Sequence, residues 1–167
     1  MTLAEGMTDI AVGPTADPQA VATLISAGLG ATVTVAVGNS VVPTEDQPDN
    51  PHHPAYLAAF EAISTDPNQR LVVAELAGEP VGTVQITFIP GLLRLGMWRG
   101  LLESVHIVSH LRSQGLGARM VRWALEECRA RGCGMVQLTS NKLRLDAHRF
   151  YERLGFKTSH EGFKYYF

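Results

Sequence analysis

The strongest constraint on this fold is a strand, a glycine-flanked turn and an amphipathic helix in immediate succession. LLESVHIV (101–108) reads as an apolar strand and SHLRSQGLG (109–117) as the turn after it. A helix follows from about Leu116 to Arg131, then a second strand, MVQLTSN (135–141), and a short helix, DAHRFYERL (146–154), closed by Gly155. In the first helix Leu116, Met120, Ala124 and Cys128 recur every four residues, with Val121 and Leu125 beside them. Arg119, Arg122, Glu126 and Arg129 fill the other side, and Gly132 is the stop signal. Strand, helix and strand in this order favour parallel pairing through a right-handed crossover.

Gly115 and Gly117 open that helix. A helix start presents free N–H groups and the positive end of the dipole, so it attracts anions. Glycine removes the Cβ that would keep a phosphate from the backbone. A dinucleotide fingerprint would need Gly or Ala at 120, which is Met, and an acid where Asn141 stands. A Walker loop would need Gly-Lys-Ser/Thr, which is absent. The glycine pair alone leaves a helix start without a ligand open.

The rest of the chain reads as one domain, 1–167, around a core at about 101–156. Ile10 to Val12 reads as a short strand, and Asp17-Pro18 starts a helix to about Ala27. Residues 31–37 are an extra strand or an ordered loop, and 39–54 a long loop with four prolines. A helix is expected from Pro54 to about Ser64. Strands 70–75 and 81–88 form a hairpin across Ala77-Gly78-Glu79-Pro80. Residues 92–100 are an apolar, basic connection, and the tail 156–167 reads as a final hairpin with Phe163, Tyr165 and Phe167 on one face. The expected class is α/β, a mixed sheet with helices on both sides.

Composition excludes several roles. A 46% apolar and 18% charged chain is a folded domain, not a disordered one. Net charge is −2 with no basic run, against nucleic acid as a partner. No apolar run reaches membrane-spanning length and MTLAEGMTDI is no signal peptide, so the expected location is the cytoplasm with no membrane contact. Cys128 and Cys133 match no zinc or redox spacing and read as a core cysteine and a strand-starting one. His52-His53 with Asp49 lie on the long loop, but adjacent residues rarely face one ion and no third usable ligand is identifiable, so no metal is expected.

Arg112-Ser-Gln-Gly115-Leu-Gly117 resembles the R-x-x-G-x-G signature of the GNAT acyl-CoA N-acyltransferases. Upstream, Glu103-Ser-Val105-His-Ile107 is similar to the family's E-x-V-x-V strand. Downstream, Asn141 and then Ala147-His-Arg-Phe150-Tyr151-Glu-Arg-Leu-Gly155-Phe156 resemble its N…A-x-x-F-Y-x-x-x-G-F pattern. Ser113 stands where the family often has Gly, but it keeps its N–H. The tail bears some likeness to aminoalkylphosphonate acetyltransferases. The resemblance implies a six- to seven-stranded mixed sheet with a splayed parallel pair and about four helices.

It also implies acetyl-CoA as acyl donor. Val105, His106, Ile107 and Val108 would bind the pantetheine arm and polarise the thioester. The N–H groups of Arg112, Ser113, Gln114, Gly115, Leu116, Gly117 and Ala118 would take the diphosphate. Asn141, Ala147 and Phe150 would line the cofactor. An amine is mostly protonated at neutral pH, so a base helps. Glu103 occupies the family's glutamate position; strand alternation puts it with Val105 and Ile107, and the other reading is an edge carboxylate in solvent. Tyr151 occupies the position of the family's acid, although Ala147, Phe150, Tyr151 and Leu154 also fit a core stripe.

His106 alternates to the face opposite Glu103, where a packed histidine is the default and a base or acceptor contact the alternative. Arg94, Arg99 and Arg149 are candidates for an anionic acceptor or the CoA phosphates, against solvated side chains. Trp98 with Met97 and Leu95 would wall the acceptor pocket, form a dimer contact or pack in the core. The implied activity is acetyl transfer to the primary amine of a small molecule; the alternatives are a protein N-terminal or lysine acetyltransferase and a non-catalytic acyl-CoA sensor. Small acetyltransferases of this type are often dimers, so a homodimer is the assembly the resemblance offers.

Overall fold

The computed structural model describes residues 53–76 and 79–167. The expected elements at 10–12, 17–27, 31–37 and most of the 39–54 loop lie outside the described residues. Within them the order is α1 (Pro54–Thr65), β1 (Gln69–Leu76), β2 (Glu79–Ile89), the short α2 (Leu93–Gly96) and β3 (Trp98–Ile107). A single turn at Ser109–Leu111 leads to α3 (Leu116–Ala130), β4 (Cys133–Leu138) and α4 (Leu145–Arg153). The four described strands form one mixed sheet in the order β1-β2-β3-β4. β1, β2 and β3 pair antiparallel, and β3 and β4 pair parallel across α3, as the crossover requires.

The helices form where capping and periodicity place them. His53 caps α1, its Nδ1 accepting the Ala55 N–H at 3.2 Å. Pro54 fits the first turn, where its missing N–H costs nothing. α3 buries Leu116, Met120, Val121, Ala124 and Cys128 against the sheet. Its facing row is Val72, Ala74, Val84, Ile86, Phe88 and Leu102, all buried. Each full burial of a large side chain contributes about 1.5–3 kcal/mol. Gly100 lets α3 sit close: a Cβ there would lie 2.4 Å from Cys128 Sγ. Burial and the neighbouring Cys133 push the Cys128 thiol up to about 12, so it stays a protonated core residue.

Four expectations need correction. β3 starts at Trp98 rather than 101, because the backbone leaves its left-handed turn at Gly96 and Ile89 pairs with Arg99. β4 ends at Leu138, so Asn141 stands in the following turn rather than at the strand end. There Asn141 Oδ1 accepts the Leu143 N–H at 2.9 Å, a local bond that competes with the sheet. Residues 156–167 form no strand. Phe163, Tyr165 and Phe167 are exposed there, without the paired strand that an alternating apolar face needs. The fourth concerns β3 itself and is described with the site. Among the described residues no helix is long and apolar enough to cross a membrane.

Candidate active site

β3 decides the geometry. Gln85 pairs with Glu103 and Thr83 with His106, so β3 takes three steps where β2 takes two. The extra residue is a bulge at Ser104, whose φ is +50°. The bulge inverts the alternation that the sequence suggested. Leu102 and Ile107 now both face α3, although they are five positions apart. Glu103 therefore does not share a face with Ile107. It shares one with His106, because their partners Gln85 and Thr83 alternate regularly on β2. Nothing in a Glu-Ser-Val stretch announces a bulge; serine merely tolerates the left-handed backbone better than the β-branched Val105 beside it.

The parallel pairing of β3 with β4 stops at Leu102 and Leu138. β3 runs on to Ile107 with its β4-side edge unpaired, which is the expected splay. Val105 and His106 are partly buried there, and Ile107 and Val108 are buried in the core. Glu103 is exposed and has no hydrogen-bond or ion-pair partner among the described residues.

The turn behind the splay is fixed at both ends. Arg112 Nε donates to the Ile107 carbonyl at 2.9 Å, and Gln114 Nε2 to the His110 carbonyl at 3.3 Å. Ser113 and Gly115 lie in the left-handed region, at φ +63° and +84°. α3 has no side-chain cap, and its first backbone bond outside the helix proper is Arg119 N–H to the Gly115 carbonyl. None of the N–H groups from Ser113 to Ala118 has an acceptor among the described residues. Unpaired amides at a dipole's positive end suit a phosphate or diphosphate. A Cβ on Gly117 would meet only ordinary contacts, Phe150 at 3.5 Å and Ile107 at 3.6 Å, so protein packing alone does not demand glycine there.

α4 closes the other side. Phe150 lies against the start of α3, while Tyr151 stacks edge-on with Phe150 and Phe156. Ala147 is partly buried. The Tyr151 hydroxyl has no hydrogen-bond partner among the described residues. Burial pushes its phenol above the ordinary value, with the Arg144 charge opposing. Burial first, then Arg112 and Arg144, hold His106 below the usual imidazole range, and its Nε2 is buried without a partner. Arg144 thus acts on both His106 and Tyr151, a link with no signal in the residue pattern. His148 Nε2 bonds the Asn141 carbonyl at 2.9 Å and ties α4 to the β4 exit.

Other candidates are distributed elsewhere. Arg149 pairs with Asp146 on its own helix. Trp98 packs against the core with the Arg131 guanidinium 6.0 Å from its ring, and Met97 covers Gly134. Among the described residues no three His, Cys, Asp or Glu side chains cluster as metal ligands.

The acetyltransferase (GNAT) family profile matches residues 39–156. The MlrC C-terminus profile matches residues 1–73. Aminoalkylphosphonate N-acetyltransferase of Salmonella typhimurium is 35% identical over 106 residues, covering 64% of this chain and 68% of that protein. A solved structure described as a transcriptional regulator from Bacillus halodurans C-125 is 44% identical, with a TM-score of 0.72 over 77% of this chain and 87% of that one. Glucosamine-6-phosphate N-acetyltransferase from Arabidopsis thaliana is similar in fold, at 22% identity and a TM-score of 0.65, over 90% of this chain and 94% of that one.

Proposed function

This chain belongs to the acetyltransferase (GNAT) family, and from that premise we propose that it acetylates the primary amine of a small molecule, with Glu103 as base and Tyr151 as acid. It is an acyltransferase, and acetyl-CoA is its acyl donor. The observation that carries the reading is the run of unpaired amides from Ser113 to Ala118, set behind the opened edge of β3. Those amides would hold the diphosphate, and the β3 edge from Glu103 to Ile107 would hold the pantetheine arm. Bound acetyl-CoA supplies an activated acyl thioester.

The chain's own groups then manage protons. Glu103, solvent-facing and unpaired, accepts a proton from the incoming ammonium directly or through water. Tyr151 carries its proton at neutral pH as an ordinary phenol does, burial favours that form further, and it can give the proton to the departing thiolate. Asn141, held in its turn by Leu143, has its amide Nδ2 left to order the arm. The aminoalkylphosphonate-acetylating relative supports a small amine over a peptide acceptor. Cytoplasmic residence, a homodimer and one domain over 1–167 complete the proposal.

The relationship to a structure described as a transcriptional regulator favours a second reading, an acyl-CoA sensor. Thiol release from acetyl-CoA, followed across a panel of small amines, decides between them. Turnover with at least one amine supports transfer. Heat protection by CoA with no thiol release from any amine would make the sensor the better account.

A further inference from the structure

The sheet face opposite α3 carries more than Glu103. Arg99, Leu101 and Glu103 form one row along β3, since Gly100 and Leu102 point toward α3. At the start of that row the 91–97 segment folds over the sheet. It borders an open cleft of about 230 Å³ lined by Leu92, Leu93, Met97 and Met135, with Arg94 and Arg99 as its charges; Leu92 and Leu93 also face solvent.

Both arginines lack a partner. Arg70, Arg129 and Arg149 each pair with a carboxylate. Neither Arg94 nor Arg99 makes a hydrogen bond or ion pair among the described residues, and Arg99 Nε is shut away from solvent. A buried charged donor left unpaired is costly unless something else supplies the acceptor. The backbone is strained at the same place. Arg94, Leu95 and Gly96 are consecutive left-handed residues, at φ +55°, +60° and +77°. Such strain in non-glycine residues persists where the surroundings demand it, and gathers at ligand sites.

We infer that this cleft is the subsite for an anionic tail on the acceptor, so that the preferred substrate is a small primary amine carrying a phosphonate or carboxylate. The inference rests on the transfer reading above. The Cα atoms of Arg99 and Glu103 are about 13 Å apart along the strand, and two extended side chains shorten that gap. An anion at Arg99 and an amine beside Glu103 then differ by a few bonds. Two guanidinium groups on one side of the cleft can share the charge of a phosphonate or carboxylate through charge-assisted hydrogen bonds.

The test compares kcat/KM for 2-aminoethylphosphonate, β-alanine and propylamine by thiol release. Wild type should favour at least one anionic amine over propylamine by about tenfold or more, the scale of one charge-assisted hydrogen bond. Arg99→Gln and the exposed Arg94→Gln should each cut that ratio at least fivefold, and Arg99→Lys should restore part of it. Whichever anionic amine is preferred identifies the anion. A wild-type ratio near one, or a ratio that survives both substitutions, overturns the subsite. If no amine reacts, the transfer reading fails separately, and methylphosphonate alone decides. A rise in Tm that is lost in Arg99→Gln supports the anion site, and no rise in wild type overturns it.

Discussion

The two ends of the proposed site would hold charge by different means. At the α3 start the groups offered are main-chain amides, and two left-handed residues, Ser113 and Gly115, aim them. At the start of β3 the groups offered are two guanidinium side chains over an open cleft. Main-chain donors are the same whatever the side chains are, so the first arrangement suits an invariant ligand such as acetyl-CoA. Side-chain donors change with a single substitution, so the second suits an acceptor that varies among relatives. Substitutions at the two ends should therefore fail differently.

The largest expected effect lies between them. Tyr151→Phe should lower kcat by about 10²–10⁴-fold while acetyl-CoA affinity stays the same, if the phenol supplies the proton. Unchanged turnover would remove Tyr151 from the chemistry. Gly117→Val should do the reverse. Its branched side chain must press on Phe150 or enter the phosphate space, and the loss of one charge-assisted bond weakens acetyl-CoA binding by about 10–100-fold. Equal affinities by calorimetry would contradict the diphosphate assignment.

Smaller effects test the backbone and the buried imidazole. Gly115→Ala meets open space, so its cost is the left-handed backbone alone, about 1–2 kcal/mol in denaturant unfolding. Ser113→Gly should gain about 1 kcal/mol for the same reason with the sign reversed, and a loss would mean that the serine side chain holds the turn. His106 has a lowered pKa in the folded state, so the unfolded chain takes up its proton first. Its contribution is intact above about pH 6.5 and is lost as pH falls below that. Tm should drop on acidification, and His106→Gln should flatten part of the drop; an unchanged slope would show that other groups carry it.

Much of the cofactor side could be read from the chain. The four-residue spacing of Leu116, Met120, Ala124 and Cys128 gives the buried face of α3, and Gly115 and Gly117 mark its start. The acceptor side could not be read that way. Arg94, Arg99 and Arg149 all read as candidates for an anion, and only side-chain contacts set Arg149, paired with Asp146, apart from the other two; the segment 92–100 lacks a periodic pattern. The tail 156–167 shows the opposite failure, a clear alternation that finds no strand to pair with among the described residues.

What the sequence determined was local: which residues turn, which start a helix, and which face of that helix is apolar. These follow from steric preference and periodicity over a few residues. Phase and pairing were settled by contacts between strands. The Ser104 bulge turns Glu103 away from Ile107 and onto the face of His106, because the register with β2 leaves one residue of β3 over. The end of pairing at Leu102 and Leu138 opens the edge beside it. Both depend on contacts between strands far apart in the chain, and a local pattern carries no information about them.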